Sequence, residues 1–249
     1  MEELRIDPRI AYDVVELPSR GIHYTNNKKS LRVAYLTAAD ENILASPNLI
    51  QTSQIVTELL KRKILDRDIN IDDIVDEDKE AILIFLRNTA FGSEYTITLT
   101  DSKTNQEFEV KVDLSSLDFK PFTLEPDTNG EYPYRMEKSG INITFKFLSQ
   151  KQEKEIDELN KSWNGVGVAP IITKRLEMMI KSIEGNKDPM NIRNFIETMP
   201  IKDSQDFRKY VNDNKPGLDL TQTANTPSGE EIQFRIGFGV DFFRPFYGI

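Results

Sequence analysis

A chain of 249 residues without one cysteine has to hold its fold by burial alone. No disulfide can staple it, and a thiolate zinc site is excluded. With 38% apolar residues the chain has enough material for one large core or two ordinary ones. The charge balance is acidic, 32 basic against 41 acidic side chains for a net −9. Such a chain repels phosphate backbones unless its cations cluster. The longest basic groupings, Lys28-Lys29 and Lys61-Arg62-Lys63, lack the interleaved aromatic residues on which bases stack, so nucleic acid is not expected as a partner. The opening Met1-Glu2-Glu3-Leu4-Arg5 has no apolar core of a signal peptide, and no apolar run approaches a membrane span. The expectation is a protein kept away from membranes, in a cytoplasm or in a particle assembled there.

Periodicity predicts an α+β protein of helices and β-hairpins in two subdomains. Residues 1–30 read as an extended arm, because Pro8 and Pro18 interrupt any helix. Residues 31–148 read as an α+β subdomain. A strand at 31–36 leads to a helix near 45, a second helix runs from Thr52 or Ser53 to about Leu65, and a third opens at Asp76 and stops at Gly92. Tyr95, Ile97 and Leu99 alternate with polar residues, as do Phe108, Val110 and Val112, which predicts a hairpin around the turn formers of 101–105. A proline-bearing linker, 119–134, precedes a strand carrying Ile141, Ile143, Phe145 and Phe147.

Residues 149–249 read as a helical subdomain closing with a β-hairpin and an aromatic tail. Ser149 and Gln152 have the spacing of a capping box. Helices are expected near 150–163, 170–184, 190–198 and 203–213, and strand alternation returns at Phe234, Ile236, Phe238 and Val240.

The chain is poorly equipped for chemistry. Its one histidine, His23, would have to serve any triad alone, and no serine lies in a Gly-x-Ser-x-Gly turn. Asp66, Asp68, Asn70 and Asp72 match the alternate ligand spacing of a calcium loop, with Glu77 at the twelfth place. The sixth position, however, is Ile71 where the sharp turn needs glycine, and the stretch reads as a solvated acidic loop before a helix. Gly165 and Gly167 lack the third glycine of a dinucleotide turn, and no phosphate-cradling Gly-Lys-Ser/Thr element exists. No catalytic residue, cofactor or metal is expected. A glycan hydrolase built on two carboxylates is the enzyme alternative, although one tryptophan offers little sugar stacking.

Aromatic residues concentrate at the C-terminal end. Five of the 14 phenylalanines fall between Phe234 and Phe246. Phe242, Phe243, Arg244, Pro245, Phe246 and Tyr247 are anchor-type residues that a chain end can insert into a partner. On the arm, Leu17, Pro18, His23 and Tyr24 are the corresponding candidates for partner binding.

Several stretches resemble the baseplate proteins of T-even-type contractile phages, a group that includes a hub component. Glu16-Leu17-Pro18-Ser19-Arg20-Gly21 is similar to a Leu-Pro-Ser-x-Gly arm, and 32–44 to a Val-x-x-Leu-Thr-x-x-Asp-Glu-x-x-Leu pattern. Leu86 to Gly92 resembles a Leu-Arg-x-x-x-x-Gly helix end, and stretches between Lys174 and Asp219 resemble that family's helical region. Phe242-Phe243-Arg244-Pro245 resembles a Phe-Phe-Trp-Pro ending with arginine in place of tryptophan. Relatives often carry Cys-x-x-Cys turns; here Asp101, Thr104 and Asn105 stand in one such turn and Asn225, Ser228 and Gly229 in the other. Hydrogen-bonding turn residues are thus expected where the resemblance implies a metal clip. The resemblance implies a structural baseplate role in the virion tail, in a hetero-oligomeric complex with other tail proteins. An assembly factor absent from the virion and a peptidoglycan-degrading tail enzyme are the alternatives.

Overall fold

The computed structural model describes residues 9–24, 26–46, 55–163, 167–238 and 240–243. Among these are seven α-helices and four small antiparallel sheets, an α+β fold. The chain divides into two compact units, Met1–Lys120 with Gly217–Ile249, and Pro121–Pro216. The division differs from the boundary after residue 148 that the periodicity suggests. The stretch 119–134 is not a plain linker: Phe119 bridges to Leu218, and Tyr132–Arg135 is a strand of the second unit. The final hairpin and its aromatics return to the first unit's core.

In the first unit β1 (Tyr12–Glu16) pairs antiparallel with β2 (Ser30–Ala34). Within the segment read as an extended arm, the described residues form a strand and a turn, and Val15 and Leu17 bury their side chains in the core. Helix α1 (Ala38–Leu44) opens on a capping box between Thr37 and Asp40, and α2 is Ile55–Lys63. The third helix, α3 (Asp76–Phe91), is buried along much of its girth by Ala81, Ile82, Leu83, Ile84 and Leu86, and Gly92 at φ +83° ends it. The hairpin β3 (Glu94–Thr100) and β4 (Glu107–Asp113) has the expected register, with Tyr95 opposite Val112 and Ile97 opposite Val110. A second hairpin, β8 (Thr221–Asn225) and β9 (Glu231–Arg235), completes the unit with a 3-10 turn at Val240–Phe243.

The second unit holds a three-stranded sheet in the order β5 (Tyr132–Arg135), β6 (Asn142–Phe145), β7 (Ile180–Ile183). Helices α4 (Gln150–Ser162), α5 (Ile171–Met179), α6 (Pro189–Thr198) and α7 (Ile201–Asp213) accompany it. The capping box of Ser149 and Gln152 is present. The helix expected over 170–184 stops at Met179, since Ile180, Ser182 and Ile183 pair with β6. Phe145 and Phe207 lie fully buried with rings 5.3 Å apart, and Met136, Ile156, Leu176 and Ile192 close the core around them.

Candidate functional site

The Leu17–Tyr24 turn is fastened to the start of α3. Arg20 and Gly21 both have positive φ, and a Cβ on Gly21 would sit 2.6 Å from the carbonyl carbon of Asn27, so only glycine fits. This tight turn brings Ser19 and Tyr24 to Asp78, which is wholly buried in the first turn of α3. The Asp78 carboxylate accepts from Ser19 N–H at 2.9 Å, Ser19 Oγ at 2.6 Å and Tyr24 OH at 2.5 Å. The Tyr24 oxygen in turn accepts from Val75 N–H at 3.2 Å. Burial pushes the Asp78 carboxyl up despite these donors, and burial with the nearby carboxylate pushes the Tyr24 phenol up. Leu17, Pro18 and Tyr24 are buried and His23 is half-buried, so Leu17, Pro18 and Tyr24 pack inside the unit instead of offering an exposed docking face.

Phe242 and Phe243 are also core residues. The Phe242 ring lies edge-on to Tyr95 at 5.1 Å and to Phe238 at 4.9 Å. The buried Arg87 guanidinium stacks over Tyr95 at 4.9 Å and Phe242 at 5.6 Å, and donates to the carbonyls of Gly92 and Glu94. An amphipathic cation near the end of α3 thus seats Phe242 in the chain's own core. Arg244, Pro245, Phe246 and Tyr247 lie outside the described residues.

The acidic loop has partners of its own. Asp66 accepts from the Arg32 backbone N–H at 2.6 Å and guanidinium at 2.9 Å, and from Lys28 Nζ at 3.0 Å, while Asp68 binds the same lysine at 2.9 Å. Burial works against the Asp66 charge, but the Arg32 and Lys28 donors outweigh it and hold its pKa low. Asn70 caps a short 3-10 turn, Ile71–Asp73, through Asp72 N–H. These contacts tie Asp66, Asp68 and Asn70 to neighbouring cations and backbone. Among the described residues no three His, Asp or Glu side chains converge as a metal-binding group.

One exposed apolar row lies on β1. The alternating pattern Ile10, Tyr12, Val14 is exposed, Val14 at 60%. Ala11 O accepts from Tyr35 N–H and Leu17 N–H donates to Lys29 O, so the odd residues of β1 bond to β2. The peptide groups of residues 10, 12, 14 and 16 therefore point outward along an edge with no third strand among the described residues. The second unit has a cleft of about 270 Å³ whose lining includes Phe147, Met179 and Val211. Its lining also includes Arg208 and Arg175, whose two terminal nitrogens each meet a Glu153 oxygen at 2.7 Å. That volume falls just below the usual range for ligand pockets, roughly 300–1,000 Å³.

The fold and these placements define an α+β protein whose buried polar groups bind its own turns and which carries an exposed apolar strand edge on β1. The chain belongs to the family of T4 bacteriophage base plate proteins, whose model matches residues 14–244. No curated protein and no solved structure matches it. Membership places the chain in the tail baseplate of a bacteriophage virion, among other baseplate proteins. No helix among the described residues is long and apolar enough to cross a membrane.

Proposed function

We propose that this chain is a structural subunit of the hub region of a contractile-tail baseplate, acting by binding neighbouring tail proteins. The observation that carries this reading is the use of its buried carboxylates. Among the described residues burial raises the carboxyls of Asp78 and Glu80 in the manner of a catalytic acid, yet Asp78 is wholly enclosed and bonded by Ser19 and Tyr24, and Glu80 is paired with Arg235 at 2.7 Å. Asp66 and Asp203 are held by internal donors in the same way. A general acid must come within hydrogen-bond reach of a substrate, and these carboxylates already spend their lone pairs inside the protein.

Residues 244–247, beyond the buried Phe242 and Phe243, remain the part of the aromatic run proposed to reach a partner. Quantitative mass spectrometry of purified virions tests the structural reading: a subunit is present at fixed stoichiometry, and absence from the particle would make the chain an assembly factor instead. Zymography on peptidoglycan with the purified protein is expected to show no clearing. Clearing abolished by changing a single carboxylate would replace the binding role with an enzymatic one.

A further inference from the structure

We infer that the outer edge of β1 pairs with the same edge of a second copy of this chain, antiparallel about an axis at Tyr12. Ile10, Tyr12 and Val14 share one sheet face, and their peptide groups are those that β2 leaves unbonded. An edge of this kind is a template for another strand, and proteins that keep such edges single usually blunt them with charge, proline or a bulge. Residues 10–15 have no proline and one charge, Asp13, which alternation places on the opposite face from Ile10, Tyr12 and Val14 and which accepts from Tyr35 OH, and the pairing with β2 runs in unbroken register from Tyr12 to Glu16.

The sequence of the edge selects the occupant. With Tyr12 opposite Tyr12 of the second copy, Ile10 falls opposite Val14 at both ends and the apolar row continues across the seam. Asp13 then lies opposite Ala11 of the second copy. Moving the axis to Asp13 sets two carboxylates face to face, which destabilises a cross-strand pair. Moving it to Val14 puts Tyr12 opposite Glu16. The register that joins the most apolar surface is thus the one that separates like charges, and it is its own complement. The product is a four-stranded sheet with β1 and its copy at the centre. One strand seam buries less than a standard interface, so the dimer should dissociate on dilution. This pairing does not depend on the hub reading, and a monomer would leave that reading intact.

The absence of native cysteine makes the register directly readable. In a hydrogen-bonded antiparallel pair the Cα atoms are about 5.5 Å apart, inside the disulfide range of about 4.4–6.8 Å. Tyr12→Cys should therefore close an interchain disulfide under mild oxidation. Two Val14→Cys sites would sit four residues apart along the seam, roughly 13 Å at the strand rise, and should stay reduced. Sedimentation equilibrium of the unmodified chain should show its mass rising from one chain toward two with concentration, and Val14→Lys should keep it at one. A mass of one chain at every concentration would overturn the proposal and leave the edge to a strand of another protein. A dimer in which Tyr12→Cys fails to cross-link, or Val14→Cys links first, would overturn it equally, because the contact would then use another surface or register.

Discussion

The carboxylate of Asp101, in the turn of one hairpin, accepts a hydrogen bond at 3.1 Å from the backbone N–H of Ser228, in the turn of another, 127 residues along the chain. Asp101 also accepts from Lys103 N–H at 2.9 Å, which shapes its own turn, and Lys103 reaches Glu230 at 2.6 Å. On the far side Thr226 Oγ1 lies 3.0 Å from Ser228 Oγ and accepts from Glu230 N–H at 3.0 Å. Two hairpins without a shared ladder are thus joined at their tips by the Asp101 carboxylate and the Lys103–Glu230 ion pair.

That junction should fail in acid. Enclosure works against the Asp101 charge, but the donors from Lys103, Ser228 and Thr104 outweigh it and hold the carboxyl at about 2. A depressed carboxyl contributes stability that is complete above its unfolded value, about 3.9, and is lost as pH falls through the folded value. Thermal melts should therefore decline between about pH 4 and pH 2. Asp101→Asn should lower the melting temperature at neutral pH and flatten that decline, and an unchanged acid limb would show that other carboxylates govern it.

The aromatic run at 242–243 gives the second prediction. Phe242→Ala removes a fully buried ring that contacts Tyr95, Phe238 and Arg87. The expected loss is about 3–5 kcal/mol in urea denaturation. Equal stability of the Phe242→Ala variant would mean that the ring is not a core residue in solution.

Elements whose own pattern agrees with their environment were legible in the sequence. The β3–β4 hairpin buries one face, so its alternation predicts the register, and the Ser149 capping box marks the start of α4. The residues that failed share a different property: their partners are distant in sequence. Ile180 and Ile183 continue a helical spacing from α5 yet pair with β6, and Tyr12 and Val14 mask the strand phase of Val15 because both faces carry apolar groups. For the candidate site, Leu17, Tyr24 and Phe242 are expected from the sequence to bind a partner, and the structure packs them in the first unit's own core. What they anchor is decided by Asp78 and Arg87, and no local pattern reveals those contacts. The exposed edge of β1 was invisible for the same reason, since it exists only once β2 has taken the other side.

A third prediction concerns the ion pair between α1 and α2. Asp40 is buried, with Thr37 N–H and Oγ1 each at 2.8 Å and Lys63 Nζ in direct contact, while Lys63 also donates to Tyr35 O at 3.1 Å. Burial disfavours the Asp40 charge, but Lys63 and Thr37 hold its pKa low. Lys63→Met strands that carboxylate and should cost about 3 kcal/mol, the lower end for a broken buried pair, since Arg62 remains 3.6 Å away. The double variant Lys63→Met with Asp40→Leu should recover part of the loss, and a neutral single variant would show the pair to be solvated.

The last prediction follows from the chain path. Lys120 N–H donates to Gly217 O at 2.8 Å, and Asp219 N–H to Asp118 O at 2.9 Å, so the two ends of the 121–216 segment leave the first unit side by side. Each unit has its own core, one around Leu59, Ile82 and Leu86 and the other around Phe145 and Phe207. An insertion with adjacent ends can be removed without stretching the host, and closing the gap shortens the loop whose closure the host's fold must overcome. Residues 121–216 expressed alone should therefore unfold cooperatively. A chain in which a short glycine-serine linker replaces them should retain the β3–β4 and β8–β9 hairpins, with slow amide exchange at Ile97 and Val110. If either piece shows only the exchange rates of an unfolded chain, the two cores depend on each other for folding, and the segment is a part of one cooperative unit instead of an insertion.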